Sequence, residues 1–252
     1  MTRAEATTVA EAPVLPGPER MPVHIAVIMD GNRRWARARG KPPIYGHRQG
    51  AAAVRRTVEG CARLGVRYLT LYAFSSENWQ RPPEEVGELM GLLRYYLQRE
   101  VDALHENDIR VRVIGERSGL DPDIVALIER AEAETRDNGR LDLVVALNYG
   151  GRREILRAAR LLAERAAAGE LDPAAIDEQL FASCLYTHGI PDPDLLIRTS
   201  GEQRVSNFLL WQLAYTEFVF LDVPWPEFEE RHLLGAIAEY ARRERRYGAQ
   251  AG

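Results

Sequence analysis

A chain of 252 residues, 46% hydrophobic and 28% charged, has the length and make-up of one soluble globular domain with a sizeable core. Its net charge of -4 argues against a general nucleic-acid binder, and no apolar run approaches the roughly 20 residues that cross a bilayer. The two distant cysteines, Cys61 and Cys184, form no metal-binding pair and read as buried thiols of a reducing compartment, the cytoplasm.

Residues 1–20, rich in Ala, Glu, Thr and Pro and lacking an apolar signal core, read as a disordered leader, so that 21–252 form the folded domain. Ile25 to Met29 is a continuous apolar run suited to a strand buried on both faces. It ends at Asp30-Gly31-Asn32, where Gly31 permits a sharp turn, Asn32 can cap, and Arg33 to Arg39 reads as a helix closed by Gly40. A carboxylate at a strand tip beside a helix N-terminus suits an anion and a divalent cation; the plainer alternative is a β–α turn whose Asp30 merely caps. After a Pro-Pro loop and Gly46-His47, a helix is expected from about Arg48 to Leu64. Tyr68 to Phe74 reads as the second strand, ending in Ser75-Ser76-Glu77-Asn78-Trp79-Gln80-Arg81. Two successive strand tips thus carry polar chemistry, where open α/β sheets place ligands.

A long helix is expected from Glu84, with Val86, Leu89, Met90, Leu93, Leu97, Val101 and Leu104 at helical spacing. Further strands are predicted at Ile109–Gly115, Leu141–Leu147, Asp194–Arg198 and Glu217–Leu221. Helices follow Asp121-Pro122 and Asn148-Tyr149-Gly150-Gly151, and others are expected over Pro173–Phe181 and Pro226–Tyr247. Strands alternating with helices imply a single α/β domain with a mostly parallel central sheet of about six strands, flanked by helices.

Dinucleotide, P-loop and nucleophile-elbow glycine motifs are absent, and the five histidines have no zinc spacing. What remains is arginine at strand tips. After the fifth strand, Arg198, Arg204 and Ser206 bracket a turn at Gly201, and two guanidinium forks with a hydroxyl match a diphosphate. The plainer reading is a solvated loop with a Glu202–Arg204 ion pair. Glu217, at the start of the sixth strand, is expected near this cluster, completing a magnesium site with Asp30, or else is an edge residue. The basic run Arg242 to Arg246 reads as a solvated helix end.

MDGNRRWA, GHRQGA, YAFSSENWQRP, NYGGR and RTSGEQRVSNFLLWQ, in this order, resemble the five signature regions of the cis-prenyltransferases, the undecaprenyl diphosphate synthase family, over residues 22–247. The resemblance implies condensation of isopentenyl diphosphate with an allylic diphosphate, usually farnesyl diphosphate, in cis geometry, to give a polyprenyl diphosphate such as the undecaprenyl compound of bacterial cell-wall synthesis. By that resemblance Asp30 and Asn78 are catalytic, and Asp30 and Glu217 hold Mg2+. Gly31, Asn32, Arg33, Arg34, Trp35 and His47 belong to the allylic site, Ser75, Ser76, Glu77, Trp79, Arg81 and Glu85 to a closing loop, and Arg198, Arg204 and Ser206 to the isopentenyl site. It also implies a homodimer that delivers product to a membrane, with a peripheral position at the inner membrane as an alternative to the open cytoplasm. The helix after Glu84 and the sheet would wall an apolar tunnel, with Leu89, Leu93, Leu97, Leu141, Val145 and Leu147 setting its depth; such a stripe is otherwise plain core. Pro43 stands where the family usually has an arginine, which predicts weaker allylic binding unless Arg37, Arg39 or Lys41 substitutes. Rival readings are a family member with a shorter or differently joined product, and a non-catalytic partner subunit.

Overall fold

The computed structural model describes residues 16–243. The apolar run after Val23 forms β1 (His24–Ile28), buried at every position. β2 (Tyr68–Ser75), β3 (Ile109–Ile114), β4 (Leu141–Tyr149), β5 (Leu195–Arg198) and β6 (Glu217–Phe220) complete one sheet of order β3-β4-β2-β1-β5-β6. All five pairings are parallel, so every strand tip lies at one edge. Alternate residues of β1 enter opposite cores: Ile25 and Val27 pack with Val58, Cys61, Leu233 and Ile237, and Ala26 and Ile28 pack with Tyr149, Phe208 and Leu209. Burial on both faces explains the absence of polar alternation in that segment.

The helices are α1 (Asn32–Arg37), α2 (Pro43–Leu64), α3 (Pro83–Arg99), α4 (Val101–Glu106), α5 (Pro122–Glu134), α6 (Gly151–Ala167), α7 (Glu178–Ser183) and α8 (Glu230–Arg242). Four differ from expectation. The second starts at Pro43, not near Arg48, because proline fits the first helical position. The single helix expected after Glu84 divides at Glu100 into α3 and α4. The segment at Pro173 gives a 3-10 turn, and α7 starts only after Asp177, whose carboxylate accepts the Leu180 N–H at 2.7 Å. Trp225–Glu227 is likewise a 3-10 turn, with α8 beginning at Glu230. Most of the expected leader, and residues 244–246 of the basic run, lie outside the described residues.

Candidate active site

β1 and β5 are neighbours in register, with Ile28 opposite Arg198, and this pairing builds the site. Just past the β1 tip, Asp30 exchanges two bonds with Thr199: its N–H donates to Thr199 Oγ1 at 2.9 Å and its carbonyl accepts from the same hydroxyl at 2.8 Å. The carboxylate then takes Arg198 Nη2 at 2.8 Å and the Gly31 N–H at 2.6 Å, with Arg34 Nη2 at 3.4 Å. Burial alone would raise the Asp30 pKa; the bond and charge of Arg198, then Gly31 and Arg34, outweigh it and hold the carboxyl below its ordinary range. Arg198 is 3% exposed, and a buried guanidinium is costly unless an anion pairs with it and acceptors take its terminal N–H groups. Besides Asp30 it donates to the Arg204 carbonyl and to Ser206 Oγ, the latter at 2.8 Å.

Gly31 has φ 98°, and a Cβ there would sit 2.7 Å from Ser200 Oγ, so this turn accepts only glycine. Gly31 rather than Asn32 caps α1. The first-turn N–H groups of α1 have no intrahelical acceptor. The Ser206 loop is strained as well, with positive φ at Ser206, Asn207 and Leu209. It is pinned by the Gly151 N–H on the Asn207 carbonyl at 2.7 Å and by Asn207 Nδ2 on Glu77 at 2.7 Å.

These groups border a cavity of about 700 Å3 lined by Met29, Asp30, Gly31, Asn32, Arg33, Arg34, Arg37, Lys41, Pro43, His47, Arg81, Glu202 and Arg204. Six of those side chains are Arg or Lys and two are carboxylates, which makes it an anion site. Glu202 bridges two of the arginines, 2.9 Å from Arg34 Nη1 and paired with Arg204. Glu85 pairs with Arg81 at 3.0 Å and faces Arg33 at 3.6 Å. His47 Nε2 is buried without a partner. Burial, then the charge of Arg81, pushes the ring down to about 4, so it is neutral near pH 7.

The two expected groups, Asp30 with Arg33 and Arg34, and Arg198 with Arg204 and Ser206, therefore meet at one place. Arg81 and His47 join them. Ser75 and Asn78 are committed to each other one turn before Arg81, the Ser75 N–H donating to Asn78 Oδ1 at 3.1 Å. Ser76 and Glu77 bond each other, and Trp79 Nε1 donates to Asn148 Oδ1 at 2.8 Å. Trp35 stacks on Tyr45 and donates to Glu227, outside the cavity lining. Glu217 is a correction. It opens β6 opposite Leu195, at the sheet edge away from Asp30, and pairs with Arg243 at 2.8 Å. In a parallel sheet, strand starts and strand tips cannot meet.

Thr199 and the Arg34–Glu202 bridge escaped the sequence reading; the adjacency of Thr199 to Arg198 was the available signal. Among the described residues no three His, Cys, Asp or Glu side chains cluster as a metal cage. Mg2+ is usually held by one or two carboxylates plus substrate phosphate oxygens rather than by an all-protein cage. Asp30, exposed at 28% in its side chain and lining an anion cavity, fits that pattern.

A second cavity of about 980 Å3 lies between α2, α3, α4 and the sheet, lined by Ala51, Val54, Leu71, Ala73, Leu93, Leu97, Val145 and Leu147 among others. Met29 lines both cavities. Of the residues suspected of setting a tunnel's depth, Leu89 and Leu141 pack in cores instead.

The family described as "Putative undecaprenyl diphosphate synthase" matches residues 28–248. The chain is 56% identical over 241 residues to "Isoprenyl transferase 2" of Bradyrhizobium diazoefficiens, covering 95% of this chain and 96% of that protein. It is 53% identical over 231 residues to the isoprenyl transferase of Agrobacterium fabrum, covering 92% and 94%. Among solved structures, lavandulyl diphosphate synthase from Lavandula x intermedia with dimethylallyl diphosphate superposes with TM-score 0.89 at 39% identity, over 91% of this chain and 99% of that one. A "probable undecaprenyl diphosphate synthase" from Campylobacter jejuni gives 0.76 at 32% identity, over 90% and 98%. A sequence match over most of the chain, the parallel sheet and an arginine-lined cavity at its strand tips agree: the chain belongs to the cis-prenyltransferases, the undecaprenyl diphosphate synthase family.

Proposed function

We propose that this chain joins isopentenyl diphosphate to an allylic diphosphate, farnesyl diphosphate by preference, in repeated cis condensations that end at undecaprenyl diphosphate for cell-wall synthesis. The observation that supports the reading is that a cationic cavity and an apolar one share Met29 in their linings. A diphosphate head fits the first and a growing hydrocarbon tail the second, where each buried methylene contributes roughly 0.8 kcal/mol.

In each cycle a carbon–carbon bond forms between the allylic C1 and C4 of the isopentenyl unit, the allylic diphosphate leaves with the bonding pair, and a proton is lost from C2. Negative charge grows on the departing oxygens, so fixed cations stabilise the transition state more than the ground state. Arg33, Arg34 and the neutral His47 N–H serve the allylic head, and Arg198, Arg204 and Ser206 the isopentenyl head. Asp30, with diphosphate oxygens, would hold Mg2+, which supplies further charge neutralisation when bound. Asn78 and Ser75 position the loop, and the proton goes to a diphosphate oxygen because neither side chain is a base at neutral pH.

The chain acts as a homodimer in the cytoplasm and passes its product to the inner membrane; among the described residues no helix is long and apolar enough to cross one. Purified protein given labelled isopentenyl diphosphate, farnesyl diphosphate and Mg2+ should yield a C55 product by chromatography, and none with chelator. No incorporation with any allylic primer would refute the reading and leave a non-catalytic partner subunit.

A further inference from the structure

Beyond the diphosphate pocket, one ion pair joins the two helical walls of the apolar cavity. Arg55 Nη2 lies 2.6 and 2.7 Å from the two carboxylate oxygens of Glu100, and both residues line that cavity. They stand on different walls: Arg55 is in the middle of α2, and Glu100 is the hinge residue where α3 gives way to α4. Both helices start at the cationic pocket, which His47 and Arg81 line, and run away from it. At 1.5 Å per residue, Arg55 lies about 12 Å along α2 beyond His47, and Glu100 about 22 Å along α3 beyond Glu85. Between the pocket and the pair, the α2 wall carries Arg48, Ala51, Ala52 and Val54, with Leu93 and Tyr96 contributed by α3. The pair thus fixes the width of the cleft at a set depth. Arg55 is 62% exposed and Glu100 27%, so water competes and the contact is readily reversible.

We infer that Arg55 and Glu100 form a strap that determines product length. This rests on the cavity's serving the growing chain. Closed, the strap holds α3 against α2 and stops the tail from spreading sideways; a chain that fills the space beneath can lengthen, or leave, only when the strap opens.

The test measures product carbon number, together with the ratio of steady-state turnover to the first-turnover burst, for wild type, Glu100→Gln, Arg55→Met and the exchanged pair Arg55→Glu with Glu100→Arg. Each single variant should lengthen the main product by at least one five-carbon unit. Its steady-state rate relative to the burst should rise about two- to fivefold, the factor an exposed ion pair is worth. The exchanged pair should restore the wild-type pattern, which a loss of local packing alone would not do. Unchanged product length in both single variants overturns the strap, as does an exchanged pair that stays like the singles. A wild type that makes no polyprenyl product refutes the proposed function instead, so the two failures are distinguishable.

Discussion

Asp30→Asn removes a charge while keeping a shape, and its cost follows from what Arg198 loses. Arg198 is 3% exposed and has one anionic partner at hydrogen-bond distance, Asp30 Oδ2 at 2.8 Å. The Arg204 carbonyl and Ser206 Oγ, its other acceptors, are neutral, and its buried Nε has no partner. Breaking a fully buried pair costs about 3–5 kcal/mol. The Asp30 side chain is 28% exposed, so water offsets part of that, leaving roughly 1–3 kcal/mol. At about 2–4 °C per kcal/mol for a domain of this size, Tm falls by roughly 2–12 °C and the protein stays folded at 25 °C. Asparagine still accepts the Gly31 N–H, so the turn survives. Incorporation of labelled isopentenyl diphosphate at saturating primer and Mg2+ should nevertheless drop about 10²–10³-fold, the scale of losing one preorganised electrostatic group. Melting by circular dichroism on the same samples separates folding from chemistry. Activity above a tenth of wild type would refute a catalytic carboxylate, and a Tm shift under about 1 °C would refute its hold on Arg198.

Ala73 is exposed although it lies on an interior strand, because it faces the apolar cavity; Ala73→Leu should shorten the main product by several five-carbon units on chromatography, with little change in melting. Arg37 and Lys41 line the anion cavity beside Pro43, whereas Arg39 is spent on Trp35 and Glu227. Lys41→Ala should therefore raise KM for farnesyl diphosphate about tenfold, as for a lost charge-assisted bond, while Pro43→Arg changes it by no more than about twofold; initial-rate kinetics check both. Burial pushes His24 and His47 down to about 4 from 6.5, so between those values the unfolded chain binds more protons and stability falls on acidification. The slope reaches about 1.4 kcal/mol per pH unit for buried His24 and less for half-buried His47. Asp30, held below its ordinary range, adds a loss under about pH 4. Urea midpoints from pH 7 to 4 should show this decline, and His24→Gln should flatten it.

All six strands were legible because apolar and β-branched runs end at Gly, Asn or charged tips, and the meeting of Asp30 with Arg198 followed from placing both at tips of parallel strands. Glu217 was misplaced although the same rule covers it, since a residue that starts a parallel strand lies at the far edge; proximity in sequence to Arg204 outweighed topology. The break at Glu100 left no mark because the apolar stripe runs on through Val101 and Leu104, and no glycine or proline interrupts it. Asn32 looked like the cap, but the cap position needs φ 98° with Ser200 within reach of any Cβ, a tertiary restriction that falls on Gly31. Leu89 and Leu141 share their periodicity with the cavity-lining leucines, and period alone does not tell which buried face is hollow.

Sheet order accounts for why the chemistry gathers at β1. From β1 the chain moves through α1 and α2 to β2 on one side, fills out β3 and β4 beyond it, and then crosses by α6 and α7 to β5 on the other side. The crossovers part between β1 and β5, which opens a crevice at their tips, the place where doubly wound sheets bind ligands. A buried arginine at that crevice would be costly alone. Here Asp30 from the neighbouring tip, with the Arg204 carbonyl and Ser206 from the returning loop, meets its two terminal Nη groups, so the interaction that makes Arg198 tolerable also fixes the distance between the loops that carry the two groups of arginines. In the proposed binding mode, a diphosphate entering this crevice would have to displace Glu202 from Arg34 and Arg204. Glu202→Gln should accordingly tighten inorganic diphosphate, measured by calorimetry. Weaker binding by that variant would mean that Glu202 supports the ligand rather than standing in for it.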